Sequence, residues 1–261
     1  MTKIVSRALA LFIASALLVS GCGGKTPSGG TTPTAPPASP EAAPSSGAIT
    51  GISRDIRLDP ATVDDADSLL VSTYLYEGLV RLDEDGTPQP SLAMAWTISD
   101  DGLDYIFELR PNVVFHNGAP LNADAVLANF NRWFDPAGPL HGDAVYAGWE
   151  RFFLGFIGDT DADGLPKSFY DGIEKVNDLT ILVHLNRQEP KLLEYLAQPY
   201  FAIVDPTMLA DLGNEYGTRA DAVSGTGPYV VASWIEAGLS LAPNPNYWGQ
   251  IPEGELNFIW R

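Results

Sequence analysis

The sequence predicts a mixed α/β fold of the α+β kind, in which sheets built from hairpins pack against helices. Three observations carry this. Leu103, Tyr105, Phe107 and Leu109 alternate with Asp104, Ile106, Glu108 and Arg110, the period-two pattern of a strand with one buried face. Asn122 stands ahead of a stretch that places Val126, Phe130 and Trp133 on one helical face. Two apolar runs, 229–235 and 239–242, flank a turn at Gly238.

The elements follow in chain order. Residues 64–76 read as a helix, with Leu69, Leu70, Thr73, Tyr76 and Val80 near i, i+3/i+4, i+7 spacing and Gly78 suited to the stop. Asp83-Glu84-Asp85-Gly86 and Asp100-Asp101-Gly102 are turns, because Asp and Gly supply turn hydrogen bonds and positive φ. The second turn joins antiparallel strands at 95–99 and 103–110. The helix that Asn122 caps ends at Asp135-Pro136, since the residue before proline leaves the helical region. Leu179, Ile181, Val183 and Leu185 alternate with Thr180, Leu182, His184 and Asn186, a half-buried strand. Residues 191–198 and 207–212 read as short helices. No internal repeat is evident.

The first 48 residues have a different character. Lys3 and Arg7 precede an apolar stretch, 8–19, that falls short of the ~20 residues a membrane-spanning helix needs. Val19-Ser20-Gly21-Cys22 then follows the small-residue pattern of a bacterial lipoprotein cleavage site. Cys22 is the only cysteine, so an intrachain disulfide and a thiolate metal cluster are both excluded. Residues 1–21 are therefore expected to be a lipoprotein signal peptide and Cys22 the lipidation site, anchoring the exported protein to a membrane with its body facing the periplasm or exterior. An ordinary secretory leader with an incidental Cys22 is the competing reading. Residues 22–48, rich in Gly, Pro, Ser and Thr, bury too little apolar surface to fold and read as a disordered tether. Beyond the leader no run of ~18 apolar residues occurs.

Of the 261 residues, 45% are hydrophobic, which suffices for one or two compact domains. The net charge of -18 argues against a nucleic-acid or anionic-membrane surface partner, because phosphate binding requires a cationic footprint. The three histidines, His116, His141 and His184, are far apart and carry no HExxH or nucleophile-elbow context, so nothing points to an enzyme and no cofactor is implied. Gly225-Thr226-Gly227-Pro228-Tyr229 lacks the Lys-Ser/Thr ending of a phosphate loop and reads as a tight turn feeding a strand.

A set of short motifs occurs in a fixed order. Leu58-Asp59-Pro60 comes first, then Tyr76-Glu77-Gly78-Leu79-Val80, Pro90-Ser91-Leu92-Ala93, and Phe115-His116-Asn117-Gly118. Leu121-Asn122-Ala123-Asp124, Gly225-Thr226-Gly227-Pro228-Tyr229 and Asn244-Pro245-Asn246-Tyr247-Trp248 complete it. In these motifs the chain from Ile49 to Arg261 resembles the family 5 extracellular solute-binding proteins, the peptide-type receptors of ABC importers.

The resemblance implies a type II periplasmic-binding-protein clamp of two lobes. On that template 49–80 and 202–261 form an incomplete first lobe, 81–201 an inserted domain, and 255–261 the crossover strand, with the second lobe missing. The implied function is capture of peptides or a related small solute for delivery to ABC permease subunits. The alternative is a truncated lipoprotein domain, decayed or structural, without a transport role. The family places an acidic residue near the ligand shortly after Leu-Asp-Pro, which maps to Asp64 with Asp65 adjacent; a helix N-terminal acid is the plainer reading. Tyr146 and Trp149 are further ligand candidates against a core role. Finally, Asp159, Asp161 and Asp163, followed by Gly164, begin like an EF-hand calcium loop. Tyr170 occupies the position where that loop needs its bidentate Glu, so an acidic surface loop is the alternative to a Ca2+ site.

Overall fold

The structure is a computed structural model and describes residues 47–261, which all belong to one compact unit. The first strand, β1 (Gly47–Ile52), leads through Leu58-Asp59-Pro60 into α1 (Ala66–Leu75). A short ribbon follows, β2 (Val80–Leu82) and β3 (Pro88–Pro90), and then the hairpin β4 (Ala93–Ile98) and β5 (Asp104–Leu109). Helices α2 (Ala123–Phe134) and α3 (Ala147–Phe153) precede the hairpin β6 (Tyr170–Asn177) and β7 (Thr180–Leu185). The chain returns through α4 (Leu192–Leu196) and α5 (Pro206–Leu212) to β8 (Tyr229–Ile235), β9 (Gly238–Pro243) and β10 (Leu256–Trp260).

Two four-stranded sheets organise these elements. One has the order β4-β5-β7-β6 and is antiparallel throughout. The other has the order β1-β10-β9-β8, in which β10 pairs parallel with β1 and antiparallel with β9. Each sheet covers its own core. Phe107, Phe130, Trp133, Trp149, Tyr170 and Phe201 fill the first, joined by Leu79, Val80 and Ile203. Leu58, Leu75, Tyr229, Leu241 and Phe258 fill the second, joined by Tyr76 and Ala202. The chain passes from one core to the other near Tyr76–Val80 and again near Ala202–Val204.

Local chemistry explains the strongest elements. Asn122 accepts from the Ala125 N–H and caps α2, and Val126, Phe130 and Trp133 are buried on its inner face. On β5, Tyr105, Phe107 and Leu109 are buried while Ile106 and Glu108 face outward. On β7, Ile181, Val183 and Leu185 are buried in the same way.

Three expectations need correction. The tether was expected to reach residue 48, but Gly47 and Ala48 pair with Leu256 and Asn257 as part of β1. Helix α1 was expected to bury Leu69, Leu70 and Thr73; it buries Ser68, Val71, Ser72 and Leu75. Ser68 is tolerated inside because its hydroxyl accepts from the Arg57 N–H, while Leu70 is 39% exposed. Third, β1, β2, β3, α3 and β6 are not among the elements the sequence predicts.

Candidate functional site

The motifs scattered along the sequence meet in one framework where the two cores join. Glu77, just beyond α1, accepts three hydrogen bonds from distant segments. Tyr247 Oη donates to Oε1 at 2.9 Å, and Thr226 Oγ1 and Trp248 Nε1 donate to Oε2, each at 2.9 Å. Arg110 lies over the Trp248 ring, 3.9 Å from its centroid. Enough protein surrounds the carboxylate that burial pushes the Glu77 pKa up to about 7. The Trp248, Thr226 and Tyr247 hydrogen bonds and the Arg110 charge pull against that rise.

Neighbouring contacts fix the same joint. Gly225 and Gly227 cross the end of α1 so closely that a Cβ on either would lie 2.1 and 2.5 Å from the Leu75 main chain. The Gly227 N–H donates to Leu75 O at 2.9 Å. His116 Nδ1 accepts from the Gly225 N–H at 3.3 Å, which leaves Nε2–H to donate to Gly227 O at 3.2 Å. Burial lowers the His116 pKa to about 4, so the ring is neutral in this role. Asn244 donates to the same Gly227 oxygen. Asn117 donates to Asp205, which caps α5 through the Thr207 N–H.

Beside Glu77 opens a cavity of about 530 Å3. Tyr74, Tyr76, Arg81, Gln198, Tyr247 and Trp248 line it, with Glu77 itself. A space of this size suits a small organic ligand.

A second cluster lies at the other end of α1. Asp64 is half exposed and takes Arg151 Nη2 on both carboxylate oxygens at 3.0 Å. Tyr200 Oη donates to Asp64 at 2.8 Å and accepts from Arg151 Nη1 at 2.9 Å. Helix α3 delivers Arg151, and it approaches Tyr200 through Gly148, where a Cβ would sit 2.4 Å from the ring. Adjacent Asp65 is occupied otherwise: it caps α1 by accepting from the Ser68 N–H at 2.8 Å.

The other candidates separate from this surface. Tyr146 and Trp149 are each 1% exposed, so neither ring can meet a ligand in this conformation. Trp149 stacks on Phe153 with ring centroids 4.0 Å apart and donates to Gly155 O. Tyr146 stacks on His141 and donates to its carbonyl. In the candidate calcium loop, two carboxylates have local partners. Asp161 accepts from the Asp163 and Leu165 N–H groups, and Asp159 from the Phe156 N–H, so both carboxylates close their own turns. Among the described residues, no group of three or more His, Cys, Asp or Glu side chains could hold a metal ion. Cys22 lies outside the described residues. Among them, no helix is long and apolar enough to cross a membrane.

Two sheets with separate cores are thus bridged by a motif framework that borders a cavity. Comparison with known families gives the identity. The model described as "Bacterial extracellular solute-binding proteins, family 5 Middle" matches residues 87–256. The chain belongs to this family, which is one of solute-binding proteins and not of enzymes. It is 31% identical over 192 residues to the glutathione-binding protein GsiB of Shigella flexneri, covering 73% of this chain and 33% of the relative. Among solved structures it resembles the periplasmic binding protein DppA of Helicobacter pylori in complex with the peptide STSA. That match has a TM-score of 0.69 and 27% identity, over 83% of this chain and 43% of the other. The peptide-bound OppA of Listeria monocytogenes, 24% identical with a TM-score of 0.67 over 83% and 43%, shares the fold. The chain thus spans about a third of the length of the curated relatives it matches.

Sequence reasoning missed Glu77 as the centre of the framework. The available signal was an acid set between Tyr76 and the apolar Leu79-Val80 pair, where an unpaired carboxylate would be costly.

Proposed function

We propose that this chain carries the first lobe and inserted domain of the substrate-binding component of an ABC importer, which captures peptides or a related small solute outside the cytoplasmic membrane. The observation that carries the reading is the likeness to DppA, a receptor seen with a bound peptide, across 83% of this chain. The division into 49–80 plus 202–261 and 81–201 is supported by the two cores, which meet near Val80 and Ala202. Asp64, held by Arg151 and Tyr200 yet half exposed, is the proposed ligand contact on this half of the clamp. Its remaining lone pair, on Oδ2, suits a peptide N–H or ammonium. Cys22 is the proposed lipid anchor, which keeps the receptor beside its permease.

The experiment is to extract the protein from its native membranes and analyse the low-mass ligands released on denaturation by mass spectrometry. Enriched short peptides or a γ-glutamyl peptide support the proposal; a protein that reproducibly carries and binds no such solute overturns it. Cys22→Ser is expected to move the protein into the soluble fraction, and retention in the membrane would refute lipid anchoring.

A further inference from the structure

A second cavity, of about 480 Å3, lies apart from both Glu77 and Asp64. It is lined by the chain before Leu58-Asp59-Pro60, by the loop after α2, and by the end of α5. At one wall is the ion pair of Asp59 and Arg132, 5% and 4% exposed. Arg132 Nη1 meets Asp59 Oδ1 at 2.9 Å and Nη2 meets Oδ2, so the two charges neutralise each other and leave this wall polar but uncharged.

The other polar groups here are differently placed. His141 is only 8% exposed and lines the cavity. Its Nδ1 lies 2.7 Å from Arg132 O, and a carbonyl can only accept, so Nδ1 carries the proton. Stacking on Tyr146, with ring centroids 4.2 Å apart, and edge contact with Phe156 hold the ring fixed. In the neutral ring Nε2 is then a lone-pair acceptor, with no hydrogen-bond partner among the described residues. That atom opens onto the cavity that His141 lines. Around it stand further unused groups. Arg57 spends one N–H on Asn214 O and has no carboxylate partner among the described residues. Asp143 and the Asn214 amide make no hydrogen bond or ion pair there, and the Asn214 Oδ1 lies 3.6 Å from where a Gly142 Cβ would be. Four polar side chains from three segments, three of them exposed, therefore line one cavity with bonding capacity to spare.

We propose that this cavity is a second small-molecule site, for a zwitterion that joins a carboxylate to an ammonium as a free amino acid does. Arg57 supplies the cation for the carboxylate, in the paired geometry that guanidinium groups favour. His141 Nε2 and the Asp143 carboxylate accept the ammonium N–H groups, and the Asn214 amide can serve either end. An acceptor whose ring is already fixed costs little reordering when the ligand arrives. The site is independent of peptide capture at Asp64, and it stands or falls separately.

The test uses the full chain labelled with 15N on histidine, titrated with each free amino acid at millimolar concentration. The expected result is a saturable shift of the His141 Nε2 resonance by at least one of them. Arg57→Gln, a surface change that leaves the fold intact, is expected to weaken binding by about tenfold or more, as the loss of a charge-assisted hydrogen bond does. His141→Phe keeps the stack on Tyr146 and is expected to abolish binding, read by calorimetry. Asp64→Asn is expected to leave the affinity unchanged. The proposal is overturned if no amino acid perturbs His141, if binding survives both Arg57→Gln and His141→Phe, or if Asp64→Asn removes it.

Discussion

The Glu77 carboxylate links protons to folding, and the sign of the link is opposite to that of most acids. In the folded protein its pKa is pushed up to about 7, from an ordinary value of 4.5. Below pH 4.5 both folded and unfolded chains hold the proton, so the term is absent. Between pH 4.5 and 7 the unfolded chain releases the proton while the folded chain keeps it, so stability falls as pH rises. Above pH 7 the loss levels off. The full shift corresponds to about 3 kcal/mol. Water reaching the carboxylate from the adjoining cavity reduces this to roughly 2 kcal/mol. Glu77→Gln removes the titration and keeps the shape. The amide oxygen can accept from Thr226 and Trp248, while its NH2 donates to the Tyr247 oxygen. The assay is urea unfolding by far-ultraviolet circular dichroism at pH 5, 6, 7 and 8. The quantity to follow is the variant's stability minus that of the parent, which cancels every other titrating group. That difference is expected to rise by roughly 2 kcal/mol from pH 5 to 8. A difference that stays flat across this range would refute the reasoning.

Three further outcomes follow from contacts described above. Asp59→Asn leaves Arg132 buried without its anion and is expected to cost about 3–5 kcal/mol in urea unfolding, whereas the paired change Asp59→Leu with Arg132→Met should recover much of that loss. Gly225→Ala drives a Cβ against Leu75 O, a main-chain atom that cannot swing away, and is expected to cost about 3 kcal/mol or to prevent folding. Gly148→Ala pushes on the Tyr200 ring and is expected to weaken ligand binding at Asp64 more than it lowers the melting temperature; equal effects would deny Gly148 a positioning role.

The elements legible in the sequence are those whose local chemistry and tertiary role agree. Asn122 caps α2 through its own side chain, and β5 and β7 alternate because one sheet face is buried. Helix α3 escaped because Trp149, Phe152 and Phe153 crowd its seven residues with aromatics, leaving no periodic polar face to mark a helix. Strand β6 escaped because Gly172, Glu174 and Lys175 lower its strand propensity, and register shifts on both sides of its centre break the alternation. The buried face of α1 was misjudged for a different reason: Ser68 and Ser72 occupy core positions, where close approach of the chain matters more than apolar area.

The same division explains why the family was legible while the partners of the proposed ligand contact, Asp64, were not. The motifs that mark the family, Tyr76-Glu77-Gly78, His116-Asn117, Gly225-Thr226-Gly227 and Asn244 through Trp248, bind to one another across the joint between the two cores. Each needs a specific residue because each makes a main-chain approach or satisfies a buried polar group, and such demands leave fixed letters in a sequence. A ligand surface makes no such demand on the folded chain. Asp64, Arg151 and Tyr200 come from three separate segments, and only the packing of α3 across Gly148 brings them together. Tyr146 and Trp149, at the start of and within α3, are buried in the first core. The motifs thus specify the joint, and the proposed ligand contact depends instead on the less constrained packing of α3.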